Sequence, residues 1–220
     1  MATTQELESA LGRPGAVAVG RFTADGRLVE KLSKSPDVTD ELAGIASQFA
    51  ATMGMVLRTF SASYSVLSGI PLVPFHGWIF SGGEMTSVIQ NDLWTMLHTD
   101  DSSFARPDSP TEKTLQQLLA CNGVKLAAYY TPDGRLIAHA QSMPLSHELR
   151  ESGTQIVASV VNTADGLSTA FGRLANNRWS PFGILMYSGG DWTIAATKTR
   201  WLLADAGECS IDEIYQAMPW

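Results

Sequence analysis

"TADGRLV" occupies residues 23–29, and "TPDGRLI" occupies residues 131–137. The same turn is written again 108 positions later, and its surroundings recur with it. Asp25 and Gly26 lie between the apolar runs "AVAVGRF" and "LVEKL"; Asp133 and Gly134 lie between "VKLAAYY" and "LIAHA". Asp-Gly supplies the positive φ angles of a type I′ turn, which suits the twist of paired strands. Each copy is therefore expected to begin with a two-strand hairpin. The charges at Asp25, Arg27, Asp133 and Arg135 read as turn chemistry exposed to solvent rather than as a ligand clamp.

Working outward, Thr3 with Glu6 and Ser109 with Glu112 have capping-box spacing, and Pro110 suits a first helical position, so a short helix should precede each hairpin. After each hairpin a proline, Pro36 or Pro144, opens a long helical stretch. Phe49, Met53, Val56, Leu57, Phe60, Tyr64 and Leu67 recur at helical spacing; so do Ile156, Val160, Ala164, Leu167, Phe171 and Leu174, now at an offset of 107. Small residues (Ala43, Gly44, Ala46, Ser47, Ala50, Ala51, Gly54) crowd the other flank of the first helix, where a second long helix is expected to approach.

Residues 74–99 then align with 181–206: Pro74 with Pro181, Gly82 and Gly83 with Gly189 and Gly190, Trp94 with Trp201. Apolar runs broken at Gly-Gly and at Asn91-Asp92 read as three antiparallel strands. A closing helix capped by Ser210 and Glu213 ends only the second copy, because Pro107 and Pro110 interrupt the equivalent place in the first. The organisation expected is a first repeat over 1–100, a linker over 101–112 and a second repeat over 113–220. The fold class is α+β, a three-layer α-β-α arrangement in which each repeat makes a five-stranded antiparallel sheet.

Composition narrows the function. The chain is 45% hydrophobic and 17% charged with a net charge of −7, which disfavours nucleic acid and anionic membranes as partners. Cys121 and Cys209 stand far apart and read as free thiols of a reducing, cytoplasmic compartment. The start carries acids and no apolar core, and the most apolar window is interrupted by Gln48 and Arg58, so neither a signal peptide nor a membrane span is expected. No GxSxG, HExxH, GxGxxG or P-loop occurs, and His76, His98, His139 and His147 lie at no metal-binding spacing. "SGGE" and "SGGD" lack the lysine and following helix of a phosphate loop and read as hairpin turns. No catalytic, cofactor-binding or metal-ligating residue is assigned.

The α-β-β-α-β-β-β-α order, with its "DG" and "SGG" hairpins, resembles the roadblock/dynein-light-chain domain of the profilin-like folds. More closely it resembles a small bacterial roadblock-related family of unknown function that carries "GW-x-[YF]-SGG-[DE]-[YW]-T". "GWIFSGGEMT" (77–86) follows that pattern, and "GILMYSGGDWT" (183–193) follows it with the tryptophan lost and one residue gained. The resemblance implies association in pairs and no catalytic residues. It makes the chain an intramolecular pseudo-dimer serving as a protein-binding scaffold or regulatory subunit, an accessory of a small GTPase or of a cytoplasmic sulfur- or electron-transfer complex. Homodimers of the full chain fit the same picture. The alternative is a sensor holding a small molecule between sheet and helix. Trp78 and Trp179, which tryptophan does not match in the other copy, are put forward with Arg58 as an interaction surface.

Overall fold

The computed structural model describes residues 4–106, 113–176, 178–218 and 220. In the first repeat, helix α1 (Thr4–Leu11) leads to the hairpin β1 (Ala16–Phe22) and β2 (Leu28–Ser33), then to α2 (Asp40–Ser68). The meander β3 (Phe75–Gly82), β4 (Met85–Gln90) and β5 (Leu93–His98) follows. The second repeat runs α3 (Leu115–Leu119), β6 (Val124–Tyr130), β7 (Leu136–Gln141), α4 (His147–Leu174), β8 (Phe182–Gly189), β9 (Trp192–Ala196), β10 (Arg200–Asp205) and α5 (Ile211–Ala217). The expected order of elements is present twice, and only the second copy shows a closing helix among the described residues.

Several local expectations change in detail. The Asp-Gly turns are not type I′, which needs positive φ at both central residues. Only the glycines have it, at 83° for Gly26 and 85° for Gly134. Thr23 O accepts from Gly26 N at 2.8 Å and Thr23 N donates to Arg27 O at 2.9 Å, with a register shift at Arg21/Phe22. This is a four-residue turn closed by a left-handed glycine, the alternative that widens the loop and bulges the strand. The long helices begin later than Pro36 and Pro144, where Thr39 and Ser146 hydroxyls accept from Leu42 N (3.2 Å) and Leu149 N (3.2 Å). Helix α3 is capped by Thr114 and Gln117 in a reciprocal capping box. The caps proposed at Thr3 and at Ser109, Pro110 and Glu112 lie outside the described residues.

The chain divides into two compact units, and the division falls inside the long helices. Unit 1 comprises Met1–Val56, Gly77–Ala105 and Asp165–Phe182; unit 2 comprises Leu57–His76, Arg106–Ala164 and Gly183–Trp220. Each unit is thus one repeat that has given up the C-terminal half of its own long helix, with the loop after it, and taken the other repeat's. Unit 1 carries strands in the order β2-β1-β5-β4-β3, every pair antiparallel. Unit 2 repeats this as β7-β6-β10-β9-β8.

The small-residue flank of α2 meets the sheet rather than another helix. Trp94 Nε1 donates to Ser47 Oγ at 2.8 Å, and the Cβ position of Gly26 lies 3.3 Å from the Ala51 methyl. Trp201 Nε1 and Thr154 Oγ1, at 3.1 Å, make the equivalent bond in unit 2. The strand residues opposite these indoles are the small Gly20 and Ala128. A Cβ on Gly20 would lie 2.3 Å from the Trp94 ring, which is why bulk is absent there. The apolar stripes are what the helices share within a unit. In unit 1 the Phe49 and Phe171 rings are 5.5 Å apart, and in unit 2 Tyr64 lies 3.1 Å from the Cβ position of Gly153.

Candidate interaction surface

Trp78 and Trp179 do not form a surface. They are 2% and 0% exposed. Phe49 of α2 is the hub that takes them in: its ring stacks on Trp179 at 5.8 Å and meets Trp78 edge-on at 5.7 Å, Phe80 at 5.2 Å and Phe171 at 5.5 Å. Trp179 Nε1 donates to Ser87 Oγ at 3.1 Å, whereas the buried Trp78 Nε1 has no hydrogen-bond partner among the described residues. The equivalent positions in the other repeat, Leu72 and Leu185, are buried as well. The loss of tryptophan between copies therefore records a core that diverged: leucines replace the two tryptophans in unit 2, while Tyr64 and Tyr187 keep aromatic rings at the places of Phe171 and Phe80.

The turn residues act on structure. Arg27 Nε lies 2.9 Å from the Asp25 carboxylate in open solvent. The Thr23 hydroxyl, and secondarily Arg27, hold the Asp25 carboxyl below its ordinary range; Thr131 and Arg135 do the same for Asp133. Both carboxylates are thus held by their own turns. The Gly-Gly pairs do more than turn. A Cβ on Gly82 would stand 2.3 Å from Trp179 O and one on Gly189 would stand 1.9 Å from Leu72 O. Gly83 N donates to Pro181 O at 3.0 Å, and Gly190 N to Pro74 O at 2.9 Å. Both prolines follow cis peptide bonds. In each unit, then, the glycines receive the proline loop contributed by the other repeat. Nothing within one repeat's sequence signals that reception.

Arg58 is exposed on α2, its guanidinium 6.0 Å from the centroid of Phe75. Toward the end of the same helix Val66 is 85% exposed and Leu67 58%, and Val73 in the following loop is 47% exposed. All four belong to unit 2. At the offset of 107, Arg58 corresponds to Asp165 and Val66 to Arg173, whereas Leu67 corresponds to Leu174, which is exposed as well, so the two long helices differ at the first two of these positions and agree at the third. The helical stripe carries no sign of this exposure, because the stripe that predicts Leu67 as core ends one turn too late.

Other chemistry is dispersed. Cys121 is a buried free thiol, and Cys209 a half-buried one whose pKa burial pushes up. His98 Nδ1 lies 3.4 Å from the Asp101 carboxylate. Among the described residues no three His, Cys, Asp or Glu are grouped to hold a metal ion. Open depressions of unit 1 include one of about 410 Å³ between α1 and the β4–β5 turn (Glu6, Arg13, Asp92) and one of about 350 Å³ beside the start of α2 (Asp37, Glu41, Arg178). Neither is the enclosed, mainly apolar cavity that holds a small molecule. No helix among the described residues is long and apolar enough to cross a membrane.

The geometry defines a tandem α+β protein with one unit written twice. Residues 6–106 and again 114–219 match the family described as "Uncharacterized conserved protein (DUF2173)". The chain belongs to that family. No curated protein and no solved structure matches it.

Proposed function

We propose that the chain is a non-enzymatic protein-binding scaffold or regulatory subunit of the roadblock type, with the exposed end of α2 as its docking face. The observation that carries this reading is the exposure of three large aliphatic side chains, Val66, Leu67 and Val73, at the end of α2 and in the loop after it. Large aliphatic side chains left in water cost free energy that burial against a partner recovers, at about 25 cal/mol per Å² of apolar area. The matched position on α4 carries Arg173 in place of Val66, which gives a partner a way to tell the two helices apart. The resemblance to roadblock domains supports association as the activity and makes a small GTPase, or a cytoplasmic electron- or sulfur-transfer complex, the partner class to examine first.

Affinity capture from native extract tests the reading with two baits, the wild-type chain and a V66D/L67D variant. Both substitutions lie in solvent, so folding should be unchanged by circular dichroism. One protein retained by the wild type and lost by the variant is the expected result. Retention that is indifferent to the variant places the docking face elsewhere and removes this proposal.

A further inference from the structure

The terminal strands β2 and β7 are equivalent in the two repeats, yet their chemistry differs. Among the described residues each has a strand neighbour on one side only. An open strand edge is a template for pairing with another chain, and charged side chains are the usual protection. Strand β2 has that protection. Glu30 is bridged to Arg21 at 3.1 Å; Lys31 reaches the Asp40 carboxylate at 2.9 Å and Val38 O at 2.6 Å. In β7 every one of these positions has lost its charge pair: Arg21 and Glu30 become Tyr129 and Ala138, and Lys31 and Asp40 become His139 and His147. What is left, "LIAHAQ", has no formal charge, with Ile137 62% exposed and Ala138 and His139 exposed beside it.

We infer that the β7 edge is a self-association surface on which a second copy of this chain adds its own β7, antiparallel, about a two-fold axis at His139. Backbone alternation supports the register. Ser142 N donates to Lys125 O at 2.9 Å, so Ser142, Ala140 and Ala138 turn their amides toward β6 while Gln141 and His139 turn theirs outward. Pairing about His139 sets Ile137 opposite Gln141 of the second copy, and the charged side chain bonded to this edge, Arg150, donates to Gln141 Oε1 at 3.1 Å, away from the two-fold axis. Charge decides the occupant. The same operation on β2 would place Lys31 and Glu30 against their own copies and cost two existing bridges. A β2–β7 contact between copies would be head-to-tail and open to growth, and the charges of β2 oppose it; only the β7 pair closes on itself. One short strand buries far less than the roughly 800 Å² per partner of a standard interface, so the dimer is weak and concentration-dependent.

The test is sedimentation velocity on the full chain over a concentration series, against two variants. His139→Pro removes an outward-facing amide and leaves the β6 ladder intact; Ile137→Lys places a charge on the edge without touching the backbone. The mass should rise from that of the 23.7 kDa chain toward twice that value in the wild type and stay at one chain in both variants. Val29→Lys, the same change on β2, should leave the dimer in place. A wild type that is monomeric throughout overturns the inference. So does a dimer that survives Ile137→Lys, or one that Val29→Lys disperses. The β7 edge lies apart in sequence from the α2 patch, so this result stands or falls independently of the docking proposal.

Discussion

At the scale of single residues, the positions that matter most are those where an atom would be added to a filled space. Gly82 has ordinary backbone angles, so its identity is set by Trp179 O and Pro181 O, which a methyl group would meet at 2.3 and 2.8 Å. Carbonyls of a loop held on both sides cannot retreat as a side chain can. Gly82→Ala should therefore cost at least about 2 kcal/mol in chemical denaturation. Gly44→Ala, where nothing lies within 4 Å, should be neutral or stabilising as a helix substitution. A second residue-scale effect is electrostatic. Burial pushes the hydroxyls of Tyr64, Tyr130 and Tyr187 above their ordinary range, most simply read at Tyr187, whose hydroxyl has no hydrogen-bond partner among the described residues. Their folded pKa values are raised, so their contribution is fully present below the unfolded value of about 10 and is lost as pH rises beyond it. The tyrosine contribution should be flat up to that point and then fall by up to about 1.4 kcal/mol per pH unit for each tyrosine. Tyr187→Phe should reduce the alkaline slope and cost little at neutral pH, since no bond is broken. Denaturation midpoints of the two proteins across that pH range decide it; equal slopes would contradict the assignment to Tyr187.

At the scale of elements, what recurs in the sequence is what folds locally. The Asp-Gly hairpins, the meanders broken at Gly-Gly and the long helices were legible because strand alternation, turn residues and helical spacing are each set by neighbours in the chain. Their edges were less so. A proline marks where a helix is allowed, but a hydroxyl facing free amides marks where it starts, hence Thr39 and Ser146 rather than Pro36 and Pro144. The partners of a face are not written in its periodicity at all. Ser47 reads as one small residue among seven, and only the indole of Trp94, 47 residues away, explains it. The same holds for Trp179, read from its unmatched position as surface and found against Phe49. The buried indole–hydroxyl pair is testable by a double-mutant cycle. Trp94→Phe and Ser47→Ala should show a coupling of about 1 kcal/mol, because Ser47→Ala leaves the buried indole N–H unpaired and the double change removes it, whereas after Trp94→Phe the Ser47 hydroxyl still donates to Ala43 O at 2.9 Å. Additive effects within error would show that the bond contributes nothing net.

At the scale of the whole molecule, duplication has become mutual dependence. Unit 1 takes Asp165–Phe182 from the second repeat, including Phe171 and Trp179; unit 2 takes Leu57–His76 from the first, including Tyr64 and Leu72. A single repeat on its own would keep its sheet but lose the side chains that close its core. It would instead expose its own half-helix with no unit to complete. Loop closure through the linker supplies only effective concentration, and each added residue of linker changes that term slowly. Severing the linker should accordingly be tolerated while separating the halves should not. Fragments covering residues 1–106 and 113–220, co-expressed, are expected to elute together on gel filtration at the size of the intact chain and to unfold in one cooperative transition. Either fragment expressed alone is expected to aggregate or to pair with itself, borrowing from a second copy what the other repeat normally gives. Trp179→Ala, placed in the C-terminal fragment, should weaken the assembly by about 3–5 kcal/mol although the core it leaves open surrounds Phe49 of the N-terminal one. Two fragments that each fold as stable monomers would show instead that the exchanged half-helices are dispensable, and that each repeat closes its own core.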